Sequence, residues 1–314
     1  MKVFVAGGTG AVGRYAVPAL VAAGHDVSVI ARSDEKAAQV EGQGAMPARV
    51  SLFEPEALAS AAAGHEVVVN LATAIPPLSR FAAPHAWDEN DRIRTEGAAN
   101  LVDAALAGSA ARFVQESVAF AYPESGDEWI DEDMPIVPVS MTESLVAAEA
   151  SARRFSDAGE KRVAVVLRFG FFYGPGSVQT ELLVKTARRH VGPAFGPADH
   201  WVGSIHLEDA GAAVAAALTA PGGCYNVVDE PVTWREYAEA VGQAVGEAPW
   251  LRVPGRLIAL FGRRAGTLGR SQRVSNRRLR EATGWAPRFP SVREGWPAVA
   301  AALDSAAGDG ESDG

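Results

Sequence analysis

Three glycines, Gly7, Gly10 and Gly13 in the run VFVAGGTGAVG, are the first residues of this chain whose type and spacing could do chemistry. They follow an apolar run and precede an amphipathic segment. At such a strand-to-helix turn, missing side chains permit a tight bend, close approach of a diphosphate and close packing of helix on strand. The helix start adds free N–H groups and the positive end of a dipole. Thr9, Ala11 and Val12 complete the loop whose backbone would grip the ligand. The second apolar run ends VSVIARS, which places Ala31 where an acidic side chain would meet the adenosine ribose of a dinucleotide, and Arg32 just after it. A guanidinium pairs bidentately with phosphate oxygens that a carboxylate would repel, so these residues favour NADP(H) over NAD(H). Ser33 is a further candidate contact, with Arg14 and Lys36 as helpers.

The elements that must position this loop are legible as a rhythm. Apolar runs (KVFVAG, DVSVIA, EVVVNLA, RFVQES and RVAVVLRF) alternate with alanine-rich amphipathic segments, the pattern of a parallel sheet with crossover helices. The expected fold is α/β: a Rossmann-like doubly wound parallel sheet with a smaller C-terminal substrate lobe. Residues 1–170 and 203–230 would form the dinucleotide-binding domain, 171–202 and 231–304 the lobe, and the acidic, glycine-rich stretch 305–314 a disordered tail. Pro18 falls inside the first helix and should kink it. A chain of 314 residues, 48% hydrophobic and with a formal net charge of −9, reads as a globular protein and argues against nucleic acid as a partner. The single cysteine, Cys224, excludes an internal disulfide, and no spacing suggests a metal site. No leader-like or membrane-spanning run stands out, so a cytoplasmic location away from membranes is the expectation.

The glycine spacing, followed in order by NLAT, VQESVAFAY, LRFGFFYGPG, SIHLEDAG, YNVVDEPVTWREY and TGWAPRFPSVREGW, resembles the extended short-chain dehydrogenase/reductase family of NAD(P)-dependent epimerases, dehydratases and reductases, over about residues 1 to 300. The resemblance implies that Ser51 and Leu52 lie near the adenine. It further implies that Leu71, Ala72 and Thr73 line the cofactor diphosphate and ribose, and that Phe169 and Gly170 approach the nicotinamide. Alanine-rich segments EGAANLVDAALAG and TESLVAAEASARRF match the helix pair through which relatives dimerise, which makes a homodimer a candidate assembly.

The family's chemistry rests on Tyr-x-x-x-Lys at the start of the helix after the fifth strand, where the lysine lowers the phenol pKa for proton exchange with substrate. Here Met141 stands in the tyrosine place and Leu145 in the lysine place, and none of the five tyrosines is followed four residues on by lysine. Candidate replacements are Ser117, near the family's catalytic serine or threonine, and Tyr122 and Tyr173, expected on loops over the cleft. His206 and Asp209 sit at a strand-to-helix junction, with Asp209 placed to cap the helix. In the lobe, arginines at 252, 256, 263, 264, 270, 273, 277, 278 and 280 either clamp an anionic substrate group or form a solvated face. Phe195, Trp201, Trp250, Leu257 and Phe261 either shape a substrate pocket or fill the lobe core. The expected function is NADP(H)-dependent oxidoreduction of a small-molecule carbonyl or alcohol. The alternatives are a nucleotide sensor without turnover, or a non-redox cyclase, isomerase or lyase on the same fold.

Overall fold

The computed structural model describes residues 1–77, 80, 83, 85–139, 142–192, 196–247, 251–252 and 269–311. Seven strands form the central sheet: β1 (Lys2–Ala6), β2 (Asp26–Ile30), β3 (Met46–Ala48), β4 (Val67–Asn70), β5 (Arg112–Val118), β6 (Val163–Phe169) and β7 (Gly223–Val227). Their order is β7-β6-β5-β4-β1-β2-β3, and every pairing is parallel. The five expected apolar runs are the five inner strands. The two edges, MPA and GCYNV, carry weaker signals, because an edge strand needs less apolar surface.

Alternation along each strand sorts the core into two layers. Val3 and Val5 face one layer, beneath α1 (Gly13–Ala22), α2 (Asp34–Gly42) and a later helix; Phe4 and Ala6 face the other, beneath α3 (Pro55–Ala62). That second face is completed by α4 (Asp88–Arg92), a π-helical turn over Ile93–Gly97, α5 (Ala98–Ala107) and α6 (Glu143–Asp157). Pro18 is tolerated inside α1, and the Arg14 carbonyl, which loses its helical donor to the proline ring, accepts instead from Gln43 Nε2 at 3.3 Å.

The lobe packs α7 (Val178–Ala187), α9 (Trp234–Ala244) and α11 (Val292–Glu311) around Tyr173, Trp234, Tyr237 and Trp296, while α8 (Leu207–Ala217) returns to the sheet and α10 (Arg277–Thr283) covers its β7 edge. The last helix continues to Glu311, through residues 305–311 that were expected as a disordered tail, although Gly308 and Gly310 are weak helix formers. The Asp209 expectation is also corrected. Its carboxylate accepts the backbone N–H groups of Arg288 (2.6 Å) and Phe289 (3.1 Å), tying a distant loop down, and His206 itself caps α8 by accepting from Glu208 N at 3.2 Å.

His206 is 3% exposed, with ring centroids 4.4 Å from Phe289 and 5.3 Å from Tyr173. Burial pushes its pKa down to about 4 from an ordinary 6.5. The folded protein thus binds this proton less readily than the unfolded chain. The stabilisation is complete above about pH 6.5 and is lost as pH falls towards 4, a loss on the order of 3 kcal/mol. His206→Asn keeps a capping oxygen but cannot take the proton. Urea midpoints measured across this window should fall for the wild type and stay flatter for the variant.

Candidate functional site

The glycine loop joins β1 to α1 at the point where the sheet order reverses, between β1 and β4. Gly7 adopts φ +80°, and a Cβ there would run into the backbone of Leu71 and Ala72 at the end of β4. Gly13 lies directly against the backbone of Gly7 and Gly8. The turn is closed by Gly10 N–H donating to Gly7 O at 3.0 Å.

In front of this loop runs a cavity of about 840 Å³. Gly7, Thr9, Gly10, Ala11 and Val12 line its middle, together with Leu71, Ala72 and Thr73 from the end of β4. That second loop is held from behind: Asn70 Oδ1 accepts from Ala72 N (3.2 Å), Asn70 Nδ2 donates to Gln115 (3.0 Å), and Asn90 Oδ1 accepts from Ala74 N (3.2 Å). The β2–β3 side of the cavity is lined by Arg32, Lys36, Ser51 and Leu52. Neither Arg32 nor Lys36 makes an ion pair with any described residue, so two positive charges face this end without a protein counter-ion. The β5–β6 side is walled by Pro76, Trp87, Val118, Phe120, Gly170 and Phe171, and its mouth by Ile75, Val178 and Leu182, which are exposed.

Three expected contacts stand back from the cavity. Gly13 acts through loop packing, Ser33 spends its hydroxyl as the α2 cap by accepting from Lys36 N, and Phe169 is sheet core. Arg14 lies alongside Gly176.

The three candidate proton donors are corrected more sharply, because none of them lines the cavity. Ser117 is fully buried and donates to Glu149 Oε1 at 2.7 Å. Glu149 is held bidentately by Arg168, through Nε (2.9 Å) and Nη2 (2.8 Å), and Arg168 Nη1 donates to the Tyr122 hydroxyl at 2.9 Å. Tyr122 in turn donates to Asn226 Oδ1 at 2.9 Å. Burial holds the Tyr122 hydroxyl well above the usual phenol range despite the adjacent Arg168. This closed chain of buried polar groups joins β5, α6, β6 and β7, and a hydroxyl fully used inside it has no access to substrate. Tyr173, expected on a loop, lies in a short strand in the lobe core, stacked on Trp296, and donates to Asp229 Oδ2 at 3.1 Å. Leu145, in the lysine place, packs in a small buried cluster that includes Val118 and Ala121, and Met141 lies outside the described residues.

Three of the lobe arginines that are described are held as structure, and two more lie on an exposed face. Arg270 donates to the carbonyls of Tyr122 and Val137, Arg273 lies over the rings of Trp129 and Trp201, and Arg278 pairs with Glu132 and Asp133. Arg277 lies 3.9 Å from Glu281, and Arg280 is exposed. Trp201 donates to Asp127 at 2.7 Å and does not line the cavity. Arg256, Arg263, Arg264, Phe195, Trp250, Leu257 and Phe261, and the side chain of Arg252, lie outside the described residues.

The structure adds a charged pair that the sequence reading missed. Arg94, in the π-helical turn, and Glu116, on β5, both line the β5–β6 side of the cavity, with Arg94 Nη2 at 2.8 Å from Glu116 Oε1 and 3.1 Å from Oε2. Burial pushes the Glu116 carboxyl above its usual range, against the pull of Arg94. A signal was present: glutamate in a central parallel strand is out of place unless it is paired or used. Arg94 sits in DENDRIRTE, where nothing marks one charge from another.

A doubly wound parallel sheet with a glycine turn at its switch point is the dinucleotide-binding architecture of the extended short-chain dehydrogenase/reductase fold. The family described as NAD(P)H-binding matches residues 7–189, and the chain belongs to it. It is 36% identical over 311 residues to the 3-diazoavenalumate denitrifying reductase of a Streptomyces species, covering 94% of this chain and 99% of that one. Among solved structures it is similar to human epimerase family protein SDR39U1 with NADPH, at 27% identity and a TM-score of 0.80, covering 96% of this chain and 99% of that one. It also shares its fold with the Thermus thermophilus UDP-glucose 4-epimerase complexed with NAD, at 24% identity and a TM-score of 0.78, covering 98% of this chain and all (100%) of the other.

Proposed function

We propose that this chain is an NADP(H)-dependent reductase that delivers hydride to a small, flat, conjugated acceptor without a tyrosine acid. The carrying observation is the cavity itself, which has unpaired Arg32 and Lys36 at one end and apolar walls at the other, with no tyrosine among the described residues that line it. Arg32 and Lys36 would take the 2′-phosphate, and the loop from Gly7 to Val12 the diphosphate. The nicotinamide supplies hydride when bound. The chain's own residues exclude water with Trp87, Val118, Phe120 and Phe171, and place one ionisable pair, Arg94 and Glu116, beside the acceptor's half of the cleft.

The name of the Streptomyces relative describes a denitrifying reduction of a diazo compound. That kind of reaction suits a cleft without the usual acid. Hydride replacing dinitrogen at a diazonium carbon balances with no proton, whereas a carbonyl acceptor needs one proton for each hydride.

The test is purified protein with NADPH or NADH against two panels, aryl diazonium salts and conjugated carbonyl compounds, followed by loss of reduced-nicotinamide absorbance. Oxidation of NADPH with either panel supports the reading. Tight NADPH binding with no oxidation across both would sink it and favour a nucleotide sensor. Arg32→Ala should weaken NADPH binding by about 10- to 100-fold, the worth of a charge-assisted contact, while moving NADH by less than about twofold. Titration calorimetry with both nucleotides checks this.

A further inference from the structure

The domain contains two buried arginine–glutamate pairs, and they differ in how completely they are satisfied. In the Arg168–Glu149 pair, Nε, Nη1 and Nη2 of the arginine all have partners, and the carboxylate also accepts from Ser117. In the Arg94–Glu116 pair, both carboxylate oxygens accept from a single nitrogen, Nη2, and the buried Nε has no partner among the described residues. The side chains are as deeply buried, 4% and 5% exposed. One turn before Arg94, the buried Asn90 Nδ2 is also without a partner. A buried charge pair with bonding capacity left over is costly compared with apolar packing. Here both members of the pair line the acceptor's half of the cavity.

The chemistry of the pair restricts what it can receive. Its net charge is zero, so neither a carboxylate nor an ammonium meets a net opposite charge to offset the loss of its hydration. A neutral group that both donates and accepts satisfies both at once. The flanking walls, Pro76, Trp87, Val118, Phe120 and Phe171, are apolar and partly aromatic. We propose that Arg94 and Glu116 form a hydroxyl subsite that selects a flat aromatic substrate bearing a phenol-type OH. The hydroxyl donates to Glu116 and accepts from Arg94. This inference rests on the reductase reading for its choice of which half of the cleft holds substrate.

The experiment titrates the full-length chain by calorimetry with three probes of one ring system, 2-naphthol, 2-methoxynaphthalene and 2-naphthoate, with and without saturating NADP⁺. The expected result is 2-naphthol binding about tenfold or more tighter than either of the others, since the ether cannot donate and the carboxylate loses its hydration without a net opposite charge to meet it. Glu116→Gln keeps an acceptor for Arg94 but removes the balancing charge, so 2-naphthoate should gain about tenfold relative to 2-naphthol. Equal binding of 2-naphthol and its methyl ether by the wild type, preference for 2-naphthoate, or no binding of any probe would overturn the proposal. So would an unchanged ratio in a folded Glu116→Gln variant. Should that variant not fold, the wild-type ratios decide alone. Failure to bind NADP⁺ would sink the reductase reading, while the probe ratios would still judge the subsite.

Discussion

Replacing Gly10 by valine is expected to leave a folded protein that no longer binds nucleotide. The position lines the cavity, and the only atom that an added Cβ meets is the Gly7 carbonyl oxygen, at 3.2 Å. A shift of a few tenths of an ångström accommodates it, so the melting temperature should fall by no more than about 2–4 °C. The methyl groups would stand where a diphosphate must approach the loop amides. Loss of two or more charge-assisted hydrogen bonds, at about 1.5–3 kcal/mol each, predicts at least a hundredfold rise in Kd for NADPH and NADH alike. Gly13→Val is the contrasting variant. There the new side chain is driven into the backbone of Gly7 and Gly8, so binding should be lost together with cooperative folding. Calorimetry and thermal melts on both variants separate a ligand requirement from a packing requirement. Unaltered affinity in Gly10→Val would remove the glycine loop from the site.

Replacing Arg168 by methionine should have the largest effect on stability. The guanidinium is 9% exposed and supplies three donors, two to Glu149 and one to Tyr122. Removing it leaves the buried Glu149 carboxylate with the Ser117 hydroxyl and the exposed Arg153, 3.8 Å away, as its remaining partners, an expected cost of up to about 3–5 kcal/mol. The double variant Arg168→Met, Glu149→Leu removes both charges and should recover most of that loss, because the paired charges were themselves costly to bury. Urea unfolding gives both values from the shift in midpoint at constant slope. A loss below about 1 kcal/mol for the single variant would contradict the closed network. That would return Ser117 and Tyr122 to consideration as free hydroxyls.

The fate of those two residues shows where reading the sequence reaches its limit. Ser117 lies at the end of the fifth strand as expected, whereas Tyr122, expected on a loop over the cleft, is buried just after that strand. Their partners could not be placed. Ser117 bonds a residue 32 positions on and Tyr122 one 104 positions on, and no local pattern ties such groups together. The same applies to Arg94, whose partner is 22 residues away on a different element.

What the sequence determined by itself was whatever depends on near neighbours. The alternating apolar runs set five inner strands, the glycine spacing set the turn, VSVIARS put a guanidinium rather than a carboxylate after the second strand, and the absence of tyrosine and lysine at 141 and 145 removed the usual acid. Backbone periodicity and steric freedom act over a few residues, and so they are written in order along the chain. Only the tertiary structure decided which polar side chains are consumed by one another and which line the cleft. That choice turns on strand register, on twist and on which helix lies across each strand end, all of which arise when distant segments pack.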